Sequence, residues 1–215
     1  MRKFLGVLGL VLGLAVAPVL AQPITVAALG DSLTQGYGLP QGQGFVPQLQ
    51  AWLTAQGTEA TVLNAGVSGD TTAGGLARAD WTLTPDVGAL IVALGGNDLL
   101  RGIDPANSRA NIAGILTKAQ DQGIPVLLVG MVAPGNYGPE FKRDFDAMYP
   151  ALAQQYSTDL APSFLGALEA FEDRRATVRE YIQPDGIHPN ARGVALIVQD
   201  LGPQVLALIE RARVE

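Results

Sequence analysis

Residues 24–34, Ile24-Thr25-Val26-Ala27-Ala28-Leu29-Gly30-Asp31-Ser32-Leu33-Thr34, read as a buried strand that stops on a glycine and passes into a short polar turn. A run this short, apolar on both faces and bounded by Gly, suits the middle of a parallel sheet covered by helices on either side. The same signature returns at 61–64, 89–94 and 125–131, with a weaker copy at 159–165. Helical patterning occupies 43–56, 72–80, 108–122, 140–155 and 190–213. Strands and helices alternating in this order predict an α/β domain, with a central, mainly parallel sheet of about five strands between two helical layers. Right-handed crossovers in such a sheet collect the loops that follow the strands along one edge, where ligands bind. Ser32 follows the first strand, Gly69 the second and Asn97 the third, so three distant segments are expected to meet there.

Composition removes several function classes. A chain of 215 residues that is 48% hydrophobic and 16% charged fits one well-buried globular domain, with no room for a second of ordinary size. Its net charge of -6 argues against the broad basic surface that nucleic acid requires. Without cysteine there is no thiolate nucleophile, cysteine zinc site or disulfide, and one histidine leaves no paired-histidine metal motif. No cluster of carboxylates stands out as a metal site either, so neither metal nor cofactor is expected. At the start, Arg2 and Lys3 precede an apolar run over 4–17 and then Pro18-Val19-Leu20-Ala21. That order predicts a signal peptide over 1–21, cleaved after Ala21 to leave a domain of 22–215. The alternative is an uncleaved anchor, but Gly6, Gly9, Gly13 and Pro18 weaken a spanning helix. Loss of Arg2 and Lys3 makes the mature chain two charges more negative. A periplasmic or secreted protein, with no stable membrane insertion after cleavage, is the expectation.

His188 is the one imidazole in the chain, and it lies three residues after Asp185 in Asp185-Gly186-Ile187-His188-Pro189. A serine hydroxyl becomes a nucleophile at neutral pH when a base takes its proton and a third group holds that base in the right tautomer. Ser32, His188 and Asp185 are candidates for those three roles. Each also has a plain structural reading. Ser32 suits a helix cap, Gly66-Val67-Ser68-Gly69-Asp70-Thr71-Thr72 a turn capped by Asp70 or Thr71, and Gly95-Gly96-Asn97-Asp98 a tight loop. Asp185 and His188 suit a helix cap and a surface histidine before the last helix, although three-residue spacing on a helical turn puts both side chains on one side. Those readings do not predict that all four segments should fall in this order at strand ends.

Gly30-Asp31-Ser32-Leu33, Gly69 within Ser68-Gly69-Asp70-Thr71, Gly96-Asn97-Asp98 and Asp185-x-x-His188 resemble, in order, the four blocks of the SGNH hydrolases, or GDSL esterases and lipases. The resemblance spans the mature chain and is nearest to the exported bacterial thioesterase, lysophospholipase and arylesterase subgroup. It implies a flavodoxin-like three-layer α/β/α sandwich. By the same resemblance, Ser32 attacks a carbonyl, His188 carries its proton to the leaving group, and Asp185 orients the imidazole. The oxyanion would be met by the backbone N–H groups of Ser32 and Gly69 and by the Asn97 side chain. There is no Gly-x-Ser-x-Gly elbow, which counts against the ordinary α/β-hydrolase fold.

The expected activity is hydrolysis of small-molecule carboxylic esters or thioesters, including aryl esters, acyl-CoA and lysophospholipid-like substrates, by a monomeric serine hydrolase. A carbohydrate O-deacetylase and a non-catalytic envelope binding domain are the alternatives. Ala133, Pro134, Asn136 and Tyr137 lie in a Gly- and Pro-rich loop that in similar enzymes contacts the acyl portion. Tyr37, Leu39 and Phe45 read equally as pocket lining and as core.

Overall fold

The structure, a computed structural model, describes residues 23–214, so the leader expected over 1–21 lies outside it. Among the described residues the chain runs β1 (Ile24–Gly30), α1 (Ser32–Gln35), α2 (Phe45–Ala55), β2 (Ala60–Gly66), α3 (Thr72–Ala77), α4 (Ala79–Thr82) and β3 (Val87–Ala93). It continues through α5 (Gly96–Leu100), α6 (Pro105–Asp121), β4 (Val126–Val129), α7 (Pro139–Tyr156), β5 (Asp159–Ala161), α8 (Gly166–Glu169), α9 (Arg174–Tyr181) and α10 (Ala191–Ala212). The five strands pair in the order β2-β1-β3-β4-β5, and every pair is parallel. This is the doubly wound order in which the chain switches direction between β1 and β3.

Alternation along each strand builds two cores. Val26 and Ala28 of β1, Ile91 and Ala93 of β3, and Leu127 and Val129 of β4 face one side, against Phe45, Leu49 and Leu53 of α2 and Ile197, Val205 and Leu208 of α10. Ala27 and Leu29, Leu90 and Val92, and Val126 and Leu128 face the other, against Ile112 and Ile115 of α6 and Phe145 and Leu152 of α7. Side chains alternate because successive residues of a strand point to opposite faces. Phe45 therefore belongs to the core, with its ring 5.0 Å from that of Phe164, and Leu39 packs beside it. The apolar stretch of α10 is long enough to cross a membrane, yet half of it is buried inside the protein as a core helix.

Several boundaries differ from those read in the sequence. The strand expected over 159–165 ends at Ala161, because Pro162 has no N–H to extend the ladder. The helix expected over 72–80 is two, α3 and α4, hinged at Arg78. The Arg78 side chain explains the break's place in the fold. Its guanidinium donates to the Asp70 carboxylate at 2.6 Å, to Ala65 O at 2.7 Å and to Gly30 O at 2.8 Å, tying the ends of β1 and β2 to the loop that carries Gly69.

Gly66, the last residue of β2, is where the sheet meets α1. A β-carbon there would lie 2.3 Å from Gln35 N and 2.9 Å from Asp31 O, both backbone atoms that cannot swing aside. Gly66→Ala should therefore destabilise the protein by on the order of 3 kcal/mol. Urea unfolding will check this; a midpoint equal to that of the parent protein would show that α1 can move away freely.

Candidate active site

Ser32 is the first residue of α1, but it does not cap that helix. Asp31 does, accepting the Leu33 N–H at 3.0 Å, so the Ser32 hydroxyl is left to other partners. Its partner is His188, whose Nε2 lies 2.8 Å from Ser32 Oγ across 156 residues of chain. His188 Nδ1 in turn lies 2.6 Å from Asp185 Oδ2. Asp185 and His188 sit in a turn before α10 rather than on a helix, because Pro184 and Pro189 bracket the segment and Gly186 takes φ +73°. Asn190 is the cap of α10, accepting from the N–H groups of Arg192 and Gly193. The three-residue spacing works through that turn: Asp185 Oδ1 accepts the backbone N–H of Ile187 at 2.9 Å and of His188 at 3.0 Å, which leaves Oδ2 for the ring.

Desolvation works to raise the Asp185 carboxyl, but the N–H bonds from Ile187 and His188 and the imidazole itself outweigh it and hold the group down at about 2. Ionised, it can only accept, so Nδ1 carries the proton and Nε2 is the free base facing the Ser32 hydroxyl. Gln183 holds this turn in place. Its N–H donates to His188 O, and its amide nitrogen donates to Pro189 O and to Tyr37 O, both at 2.9 Å. The Tyr37 ring stands against the imidazole, 4.7 Å between centroids.

Ser32 and His188 open into a cavity of about 320 Å³ with Ser68, Gly69, Gly96 and Asn97 on its polar side. Leu33, Tyr37, Leu99, Leu100, Met131, Leu165 and Ile187 make the rest of the wall. The cavity lies beyond the carboxyl ends of β1, β2 and β3, where Gly30 is level with Gly66 on one side and Ala93 on the other. Gly69 has φ +83°, a conformation that favours glycine, and Arg101 donates to its carbonyl at 2.9 Å. Asn97 is held from behind by its neighbour Asp98, a buried carboxylate that accepts from Thr72 N–H, Thr72 Oγ1 and Ser108 Oγ. A second cavity of about 260 Å³, lined by Pro125, Val126, Thr158 and Arg211 among others, lies at the opposite edge of the sheet, far from these groups.

Ala133, Pro134, Asn136 and Tyr137 are not among the residues that line the active cavity. Ala133 is buried in the core, its N–H bonded to Asp146 and its carbonyl to Lys142. Tyr137 reaches the site at one remove, donating to the carbonyl of Leu100. The walls that sequence reasoning missed, Leu99, Leu100, Met131, Leu165 and Ile187, are apolar residues on the short α5, just beyond strands or beside His188, and nothing local separates them from ordinary core residues.

Residues 28–196 match the GDSL-like lipase/acylhydrolase family. This chain belongs to that family. Esterase TesA of Pseudomonas aeruginosa is 39% identical over 86% of this chain and 89% of its own length. Thioesterase 1/protease 1/lysophospholipase L1 of Escherichia coli is 32% identical, over 86% and 85% respectively. Among solved structures, the SGNH-hydrolase family esterase AlinE4 is 44% identical, with a TM-score of 0.70 over 87% of this chain and 97% of its own. The GDSL-like chain is thus a serine hydrolase with the α/β/α sandwich of the family.

Two measurements follow. Ser32→Ala and His188→Ala should each abolish nearly all ester hydrolysis, by on the order of 10⁴- to 10⁶-fold in kcat, with the double variant no worse than either, because the groups act as one unit. Substantial turnover in either variant would remove it from the relay. Asp31, only 2% exposed, gives the second: burial, outweighing its hydrogen bonds and the pull of His188, raises its carboxyl from the ordinary 3.8 to about 6. The folded state then binds more protons than the unfolded one between those values, so this contribution to stability is complete below pH 4 and lost as pH rises through 6. Between pH 4 and pH 7 the parent protein should lose on the order of 3 kcal/mol more stability than Asp31→Asn. Parallel urea-unfolding profiles for the two would contradict it.

Proposed function

We propose that the chain is an exported serine hydrolase that cleaves carboxylic esters and thioesters with apolar acyl or aryl groups through an acyl-enzyme. The observation that carries this reading is the hydrogen-bonded series Asp185–His188–Ser32 opening directly onto a largely apolar cavity that also presents Gly69 and Asn97. His188 Nε2 takes the proton of Ser32 as Oγ attacks the carbonyl carbon, and Asp185 stabilises the imidazolium that forms. The oxyanion is received by the N–H groups of Ser32 and Gly69 and by the Asn97 amide, dipoles already in place before the charge develops. His188 then returns the proton to the departing alcohol or thiol. Water, activated by the same imidazole, releases the acid and restores Ser32.

The apolar wall of Leu33, Leu99, Leu100, Met131, Leu165 and Ile187 favours hydrocarbon-bearing substrates over the carbohydrate of a deacetylase, whose hydroxyls would lose hydrogen bonds there. A pure binding module has no use for a relayed base. The names of the relatives, an esterase and a thioesterase with lysophospholipase activity, support the same substrate range. The 132–139 loop acts on acyl choice indirectly, through the Tyr137 bond to Leu100. Since every group of the relay comes from one chain, a monomer suffices, and no step needs a metal or cofactor. Export rests on Arg2, Lys3 and the apolar run over 4–17.

A fluorophosphonate probe should label the parent protein and leave Ser32→Ala unlabelled, with chelators changing neither labelling nor turnover. On a panel of p-nitrophenyl esters, acyl-CoAs, lysophospholipids and acetylated sugars, turnover should concentrate on the first three. Labelling of Ser32→Ala, or a preference for acetylated sugars, would overturn the reading, and protein recovered from the periplasm or medium should begin at Gln22.

A further inference from the structure

Asp31 takes part in the fold as the cap of α1, yet its position answers to more than a cap. Oδ1 accepts the Leu33 N–H, which is all that capping needs. Oδ2 is turned toward the oxyanion side: it accepts from Asn97 Nδ2 at 3.4 Å and packs so closely on Gly96 that a β-carbon there would lie 3.0 Å from it. A buried carboxylate beside the attacking serine is unfavourable unless something uses it. The chemistry of an amide supplies the use. Asn97 has two orientations about its terminal torsion, one presenting NH₂ and the other the carbonyl oxygen, and the two have nearly the same shape. An ionised carboxylate accepts only, so it holds the NH₂ toward itself and repels the flipped form.

We propose that Asp31 is a positioning residue that selects the orientation of the Asn97 amide, using one of its N–H bonds and leaving the second for the oxyanion. The proposal rests on the reading of Asn97 as an oxyanion donor. Asp31→Asn is the informative variant: it keeps the volume, and with its amide oxygen still capping Leu33 N–H it turns an NH₂ group toward Asn97, which favours the flipped amide. The carboxyl titrates at about 6, so at pH 8 the parent protein carries the charge.

The experiment measures kcat and KM at pH 8 on one soluble short-chain ester for the parent protein, Asp31→Asn, Asn97→Ala and the double variant. Asp31→Asn should lower kcat by about 10- to 100-fold and leave KM within about twofold, because the misplaced dipole is missed only in the transition state. In the Asn97→Ala background the same substitution should change kcat by less than about twofold, since there is no amide left to orient. The rate of fluorophosphonate labelling, in which attack of Ser32 on phosphorus expels fluoride and also builds negative charge on the phosphoryl oxygen, should fall in parallel with kcat. Thermal unfolding excludes a merely structural cause, since Asp31→Asn should melt no lower than the parent protein at this pH. A crippled Asn97→Ala with a near-normal Asp31→Asn would overturn this proposal alone. An equal loss from Asp31→Asn in both backgrounds would do the same, by assigning the effect to another partner. A near-normal Asn97→Ala would remove the oxyanion reading and the proposal together.

Discussion

The register of β1 is the constraint on which the site depends. Gly30 ends level with Gly66 of β2 and with Ala93 of β3, so three loops leave the sheet at one height and at the point where the chain reverses its winding. A slip of one residue would turn Val26 and Ala28 to the wrong face and separate those loops from one another. With the register fixed, Ser32, Gly69 and Asn97 are neighbours before any side-chain bond forms. The bond between Ser32 and His188 then joins residues 156 apart in the chain, bringing the start of the domain to the turn before its last helix.

Few charges are present, and several of the buried or half-buried ones gather at this edge. Arg78 joins two strand ends to the Gly69 loop, Asp98 gathers three donors from α3 and α6 behind Asn97, and Asp31 lies between Ser32 and Asn97. Each is hydrogen-bonded, as a group taken out of water must be. Their common effect is to make the loops stiff. An oxyanion hole acts by having its dipoles aimed beforehand, so on the proposed reading of Ser32, Gly69 and Asn97 stiff loops are what the chemistry requires.

The strands and the long helices were legible because burial on both faces leaves continuous apolar runs, and an amphipathic helix repeats its pattern over several turns. Small helices left no such trace. α1 and α5 span four and five residues, too few for a period to show, and they are the ones that carry Ser32 and Asn97. The split at Arg78 was hidden for a related reason: α3 and α4 together keep a helical pattern, and the break is set by where the Arg78 side chain finds its acceptors. Ser32, Asp185 and His188 could be read as a set because the chain offers one imidazole. That Asp31 caps α1, or that Ala133 is fixed through its peptide by Asp146 and Lys142 instead of lining the cavity, depends on contacts between distant segments. No local pattern encodes those.

Asp185 fixes the tautomer of His188 so that Nε2 faces Ser32 as a free base. With one histidine in the chain, nitrogen NMR of ¹⁵N-histidine-labelled protein reads that claim without any assignment problem. With the imidazole neutral, the spectrum should show a protonated, strongly hydrogen-bonded Nδ1 and an unprotonated Nε2, with the Nδ1 proton signal lost in Asp185→Ala. A proton found on Nε2, or equal populations of the two tautomers in the parent protein, would contradict it.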